Sequence, residues 1–184
     1  MVERKYILQG QDFICAFITM LNYLIHVDGK SPLKYNSKKF WKFLDGHDGM
    51  NGGIISAKGL LKKLNLKHID CPKYKSMRMF KLWMIRNLKK GECIDFCIHK
   101  FNGGLHSVLI VGYSKVFDSF KCINTQLLTS ESVIEYLTFE QLTECCYFDI
   151  NHRKSKFAPY YNKKERTSLI ARTCINETKI IKKK

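Results

Sequence analysis

Gln9-Gly10-Gln11-Asp12-Phe13-Ile14-Cys15-Ala16-Phe17 runs directly into Ile18-Thr19-Met20-Leu21-Asn22-Tyr23-Leu24. A polar, glycine-containing loop thus delivers a cysteine to the head of an apolar segment. Asp12 is placed as an N-cap, and Phe13, Phe17, Met20, Leu21 and Leu24 recur at helical spacing to about His26. Gly29-Lys30-Ser31-Pro32 ends the helix. Phe13 to Val27 is too short for the roughly 20 residues of a membrane span, and Thr19, Asn22 and His26 interrupt it. No transmembrane segment is expected.

Downstream, Ser37 caps a second helix through Phe40, Trp41, Phe43 and Leu44, and Gly46–Gly53 is a loop. Ser56 opens a third helix carrying Leu60, Leu61 and Leu64, and Leu66–Ile69 is a short strand. Met77–Lys90 is a further helix, closed by Lys-Lys-Gly. From Glu92 the period changes to that of strands: Cys93–Ile98, a turn at Asn102-Gly103-Gly104, then Leu105–Tyr113 and Val116–Asn124. Val108-Leu109-Ile110-Val111 lacks alternation, as a strand buried on both faces would. A helical piece is expected from Thr129 or Ser130, a cap at Thr138, and a last strand over Cys145–Ile150. Helices first and antiparallel strands after predict an α+β fold, with the two parts packed on each other.

Composition bounds the rest. The 184 residues suit one domain with an appendage, and the 45% hydrophobic fraction excludes global disorder. The formal charge is +16, and residues 151–184 carry 11 Lys and Arg against 2 acids. The division expected is a domain over 1–150 and a basic C-terminal extension over 151–184. That extension reads as a strand over 157–176 followed by a frayed Ile180-Ile181-Lys182-Lys183-Lys184 end. Phe157, Tyr160 and Tyr161 interleave there with lysines, a mix that also suits nucleic acid; an acidic protein is the other anionic partner compatible with it. The chain opens without a secretory leader, which points to a reducing, cytoplasmic setting. Eight cysteines without a CxxC pair are therefore read mainly as buried apolar residues, not as disulfides or a zinc site. Nothing specifies a metal or an organic cofactor.

Cys15 is the exception. At a helix N-terminus the dipole favours thiolate over thiol, and a neighbouring imidazolium would favour it further. His106, at the start of a strand, is the candidate base. Asn124, at the far end of the next antiparallel strand, is the candidate partner that orients its ring. The Cys15 backbone N–H and the side-chain amide of Gln9, or failing that Gln11, are the candidate oxyanion donors. His26, His47, His68, His99 and His152 are read as structural or solvent-facing.

At these residues the chain resembles the papain-like cysteine peptidase superfamily, and within it the bacteriocin-processing, double-glycine-leader peptidases. Gln9, Cys15, His106-Ser107-Val108-Leu109-Ile110-Val111-Gly112-Tyr113 and Asn124 match that group's motifs in kind, order and spacing, over roughly residues 5–150. The resemblance implies a helical lobe packed on a sheet lobe with the active site between them. It also implies a thiol protease that cleaves a peptide or related amide of a peptide or protein substrate through a thioester. Ala16 stands where the family usually has glycine, and Thr125-Gln126 follow Asn124 where many relatives have Pro, Ser or Gly. A transglutaminase-like acyltransferase and a non-catalytic binder with a decayed site are the alternatives.

Overall fold

The computed structural model describes residues 4–8, 14–44, 57–74, 76–99, 105–124, 133–143 and 178–184. Its frame is a six-stranded sheet in which every neighbouring pair is antiparallel. In chain order the elements are α1 (Cys15–Asp28), α2 (Lys38–Leu44), α3 (Ala57–Lys63), β1 (Leu66–Asp70), α4 (Met77–Lys89) and β2 (Cys93–His99). They continue with β3 (Leu105–Ser114), β4 (Ser119–Ile123), β5 (Ile134–Thr138), α5 (Phe139–Thr143) and β6 (Lys179–Lys183). Across the sheet the strands lie in the order β1-β6-β2-β3-β4-β5. The α+β class expected from the sequence is observed.

Local chemistry explains the boundaries. α1 ends where Gly29 adopts φ 78° and returns its N–H to the Ile25 carbonyl at 2.9 Å, a conformation that glycine enters without a Cβ clash. Ser37 and Ser76 cap α2 and α4 as their hydroxyls accept the N–H groups of Phe40 (3.2 Å) and Met79 (3.3 Å). Thr138 and Gln141 form a reciprocal capping box on α5: Thr138 N–H donates to Gln141 Oε1 at 2.8 Å, and Gln141 N–H to Thr138 Oγ1 at 3.2 Å.

Both faces of the sheet are covered. One carries α1, α2 and α3, with Phe17, Met20, Leu21, Phe40, Leu60 and Leu61 packed on Leu66, Cys93, Leu109, Ile123 and Ile181. The other carries α4 and α5, with Phe80, Trp83, Met84, Leu88, Phe139 and Leu142 packed on Ile94, Phe96, Val108, Ile110, Phe120, Cys122 and Ile180. This double coverage explains the unbroken run Val108-Leu109-Ile110, all fully buried. It also modifies the expected two-part division, because α4 lies on the face opposite α1.

The end of the chain corrects the sequence reading most. Residues 180–183, within the end expected to fray, belong to β6, which is inserted between β1 and β2. Ile180 and Ile181 point to opposite faces, so a strand with helices on both sides can bury both (7% and 0% exposed). Lys179, Lys182 and Lys183 meet Asp70, Glu92 and Asp28 at 3.6, 3.1 and 2.5 Å. The sheet thus draws strands from both sides of residue 150.

Three smaller expectations change. Ile14, not Asp12, flanks α1, and its side chain makes no capping bond; Asp12 lies outside the described residues. Val116 and Phe117, expected in a strand, sit 87% and 77% exposed in the β3–β4 turn. Residues 134–138 form strand β5, where the helical piece expected from Thr129 or Ser130 would have run. The turn at 102–104 and the strands expected over 145–150 and 157–176 lie outside the described residues.

Candidate active site

Three of the four sequence-predicted site residues are described. Cys15 is the first residue of α1 and is partly exposed. The first turn of α1 contains no acidic residue, so no carboxylate within it offsets the positive helix end at the thiol. Gln9 and Gln11 lie outside the described residues.

His106, the second residue of β3, is completely buried, and Asn124, just beyond β4, is 2% exposed. Their side chains meet: His106 Nε2 lies 3.0 Å from Asn124 Oδ1. A bulge makes this possible. Downstream, Gly112 pairs with Lys121 and Ser114 with Ser119, whereas upstream Ile110 pairs with Cys122 and Leu109 with Ile123. Val111 is the extra residue. Continued from the hairpin without it, the register would set Asn124 opposite Leu109, on the α1 face. With it, Asn124 falls opposite Val108, in phase with His106.

Asn124 is held at two further points. Its backbone N–H donates to the Val133 carbonyl at 2.9 Å, and its Nδ2 donates to Glu135 Oε2 at 3.0 Å. A carboxylate only accepts, so Nδ2 belongs on the Glu135 side and Oδ1 on the His106 side. Oδ1 in turn requires a proton on His106 Nε2, which leaves Nδ1 as the basic nitrogen of the neutral ring.

α1 is fastened to β3 beside this pair. Thr19 Oγ1, fully buried, donates to the Ser107 carbonyl at 3.2 Å. Cys15 lies one turn before Thr19, on the same side of the helix. Farther along α1, the Asn22 side chain clamps the incoming segment at both groups of Ile7, with its Oδ1 2.7 Å from the Ile7 N and its Nδ2 3.0 Å from the Ile7 O. His26 Nδ1 lies 3.0 Å from Tyr6 Oη, and burial, aided by the charges of Arg4 and Lys121, holds its pKa below the ordinary imidazole value.

Sequence reasoning missed Glu135 because it missed β5. The β-branched and aromatic residues of Val133-Ile134-Glu135-Tyr136-Leu137 were the available signal. It also missed a second polar group on the α1 side, where the Ser107 hydroxyl donates to Asp95 Oδ1. His68 Nε2 lies 3.2 Å from Asp95 Oδ2, close enough for an ionic contact but poorly aligned for a hydrogen bond. No sequence motif marks that group.

Burial raises the Cys71 and Cys93 thiols to about 12 and pushes Cys122 up as well. Among the described residues no disulfide is present, no group of three or more His, Cys, Asp or Glu could hold a metal ion, and no helix is long and apolar enough to cross a membrane. No protein-family model matches the chain, and a search of curated proteins returns no match.

Proposed function

We propose that the protein is a papain-like thiol hydrolase that cleaves a peptide or related amide bond, with Cys15 as nucleophile and His106 as base. The observation that carries this reading is the buried 3.0 Å contact between His106 and Asn124, two residues whose types and chain order suit a base and its orienting partner. Cys15 at the open end of α1, and the Thr19 bond that fixes α1 beside His106, add to it.

The steps follow from the groups present. His106 Nδ1 takes the Cys15 proton, and the thiolate attacks the carbonyl carbon, whose π electrons move to oxygen. The Cys15 backbone N–H, with Gln9 as its proposed partner, stabilises that oxyanion. As the carbonyl re-forms, the C–N bond breaks and imidazolium delivers its proton to the departing amine. Water, deprotonated by His106, then attacks the thioester and releases the carboxylic acid and the thiol. Asn124 holds the ring so that its basic nitrogen is constant through both halves. His106 lies in phase with Val108 and Ile110, on the face away from α1. The reading therefore requires the thiol to meet the ring past the end of the sheet where β3 begins. The described cysteines, all free thiols, suit a reducing compartment such as the cytoplasm. Because Lys179, Lys182 and Lys183 are engaged by acids of the chain, an anionic partner would use the basic residues that precede them.

The test is alkylation with iodoacetamide at pH 6, located by peptide mass spectrometry. Cys15 should label far faster than Cys71, Cys93, Cys97 and Cys122, and His106→Ala should abolish the advantage. Labelling of Cys15 at the rate of an ordinary thiol would remove the nucleophile from the proposal. Added amines that intercept an acyl-enzyme ahead of water would move the assignment from hydrolase to acyltransferase.

A further inference from the structure

The side chain that completes the His106–Asn124 pair comes from a strand outside the motif. Glu135 is the second residue of β5, the edge strand next to β4, and pairs with Cys122 across the ladder. Cys122 and Asn124 are two residues apart and share a face, so Glu135 reaches Asn124 diagonally. The result is a continuous run from the sheet interior to its edge: His106 Nε2 to Asn124 Oδ1 at 3.0 Å, then Asn124 Nδ2 to Glu135 Oε2 at 3.0 Å.

An amide alone does not choose a histidine tautomer. Its oxygen accepts and its NH2 donates, and a half-turn about its last bond exchanges them. With the amide reversed, Asn124 would donate to Nε2, the ring proton would sit on Nδ1, and the basic nitrogen would point into the sheet. A fixed acceptor on the far side forbids that half-turn. Glu135 is such an acceptor, and its negative charge also polarises the amide toward His106, which favours the imidazolium.

We propose that Glu135 is a positioning residue of this site: through the Asn124 amide it fixes the proton on His106 Nε2 and leaves Nδ1 as the base. The proposal rests on the thiol-hydrolase reading for its catalytic meaning, but its hold on the ring can be measured without catalysis. Glu135→Gln retains an acceptor and removes the charge, whereas Glu135→Ala removes both.

The experiment is nitrogen-15 NMR of the His106 ring, with Asn124 intact, together with the pH profile of Cys15 alkylation in each variant. The wild-type ring should show the Nε2–H tautomer. Glu135→Gln should keep that tautomer but lower the pH at which the ring protonates, and Glu135→Ala should give a tautomer mixture. Cys15 alkylation at pH 6 should fall about tenfold in Glu135→Ala, the equivalent of one pKa unit. Unchanged ring shifts in both variants would overturn the proposal, since a carboxylate that only ties β5 to β4 would alter stability and leave the tautomer alone. If Glu135→Ala does not fold, Glu135→Gln and Glu135→Asp carry the same readouts. If the ring responds to Glu135 while His106→Ala leaves Cys15 reactivity unchanged, the thiol–imidazole reading fails and the positioning role stands.

Discussion

Two successive residues of β3 begin polar chains that run to opposite edges of the same sheet. From His106 the chain passes through Asn124 on β4's end to Glu135 on edge strand β5. From Ser107 it passes through Asp95 on β2 to His68 on edge strand β1. Each contains one histidine and one carboxylate, and the alternation of β3 puts the first on the α4 side and the second on the α1 side. The central residue makes the difference. Asp95 only accepts, so the Ser107 hydrogen bond and the His68 contact both end on it, a staple across β1, β2 and β3. Asn124 accepts on one side and donates on the other, so a charge at the rim is felt at an imidazole in the interior. The first arrangement can bias a proton; the second can only hold strands together.

The comparison can be broken most severely through β6, which lies between the two strands that the Asp95–His68 contact bridges. Ile181→Ala should cost about 2–5 kcal/mol by opening a cavity under α1, read from the denaturation midpoint. The His106 ring signals should survive, because β6 does not border β3. Loss of those signals would show that the two chains are not separate. The next effect is chemical. His106→Ala should lower Cys15 alkylation at pH 6 by about two orders of magnitude, from the lost thiolate fraction, whereas Ser107→Ala should leave it within about twofold. Equal effects from the two neighbours would erase the distinction drawn here.

Asp95→Ala should leave the Ser107 hydroxyl without its acceptor and His68 without its ionic contact, at about 1–3 kcal/mol of stability in thermal unfolding. Its Cys15 alkylation rate should match wild type. The smallest effect is expected from Thr138→Ala, which removes half of the capping box where β5 meets α5 and should cost about 1 kcal/mol. A larger loss, accompanied by altered His106 shifts, would mean that the cap also holds Glu135 in register.

Much of this was legible in the chain. The helices announced themselves because Ser37, Gly29 and the Lys-Lys-Gly that closes α4 are local signals with local causes, and β2 and β3 because an apolar run between turns leaves little else. The pairing of His106 with Asn124 was legible because the chemistry restricts residue types and order. Glu135 was not, since a single glutamate in a short edge strand has no pattern of its own. β6 was not, because Lys179-Ile180-Ile181-Lys182-Lys183 has the composition of a solvated tail. Only a gap between β1 and β2, created by distant residues, makes it a strand.

The sequence by itself determined that helices and an antiparallel sheet would form, and it supplied the candidate side chains of the proposed site. Tertiary structure alone decided whether two of them meet. Counting residues from the turn does not reveal the bulge at Val111, yet that one residue sets the face on which Asn124 emerges. The physical reason is the two-residue period of a strand, in which a slip of one position exchanges the faces. Such a slip is settled by packing across both sides of the sheet, which no local stretch contains.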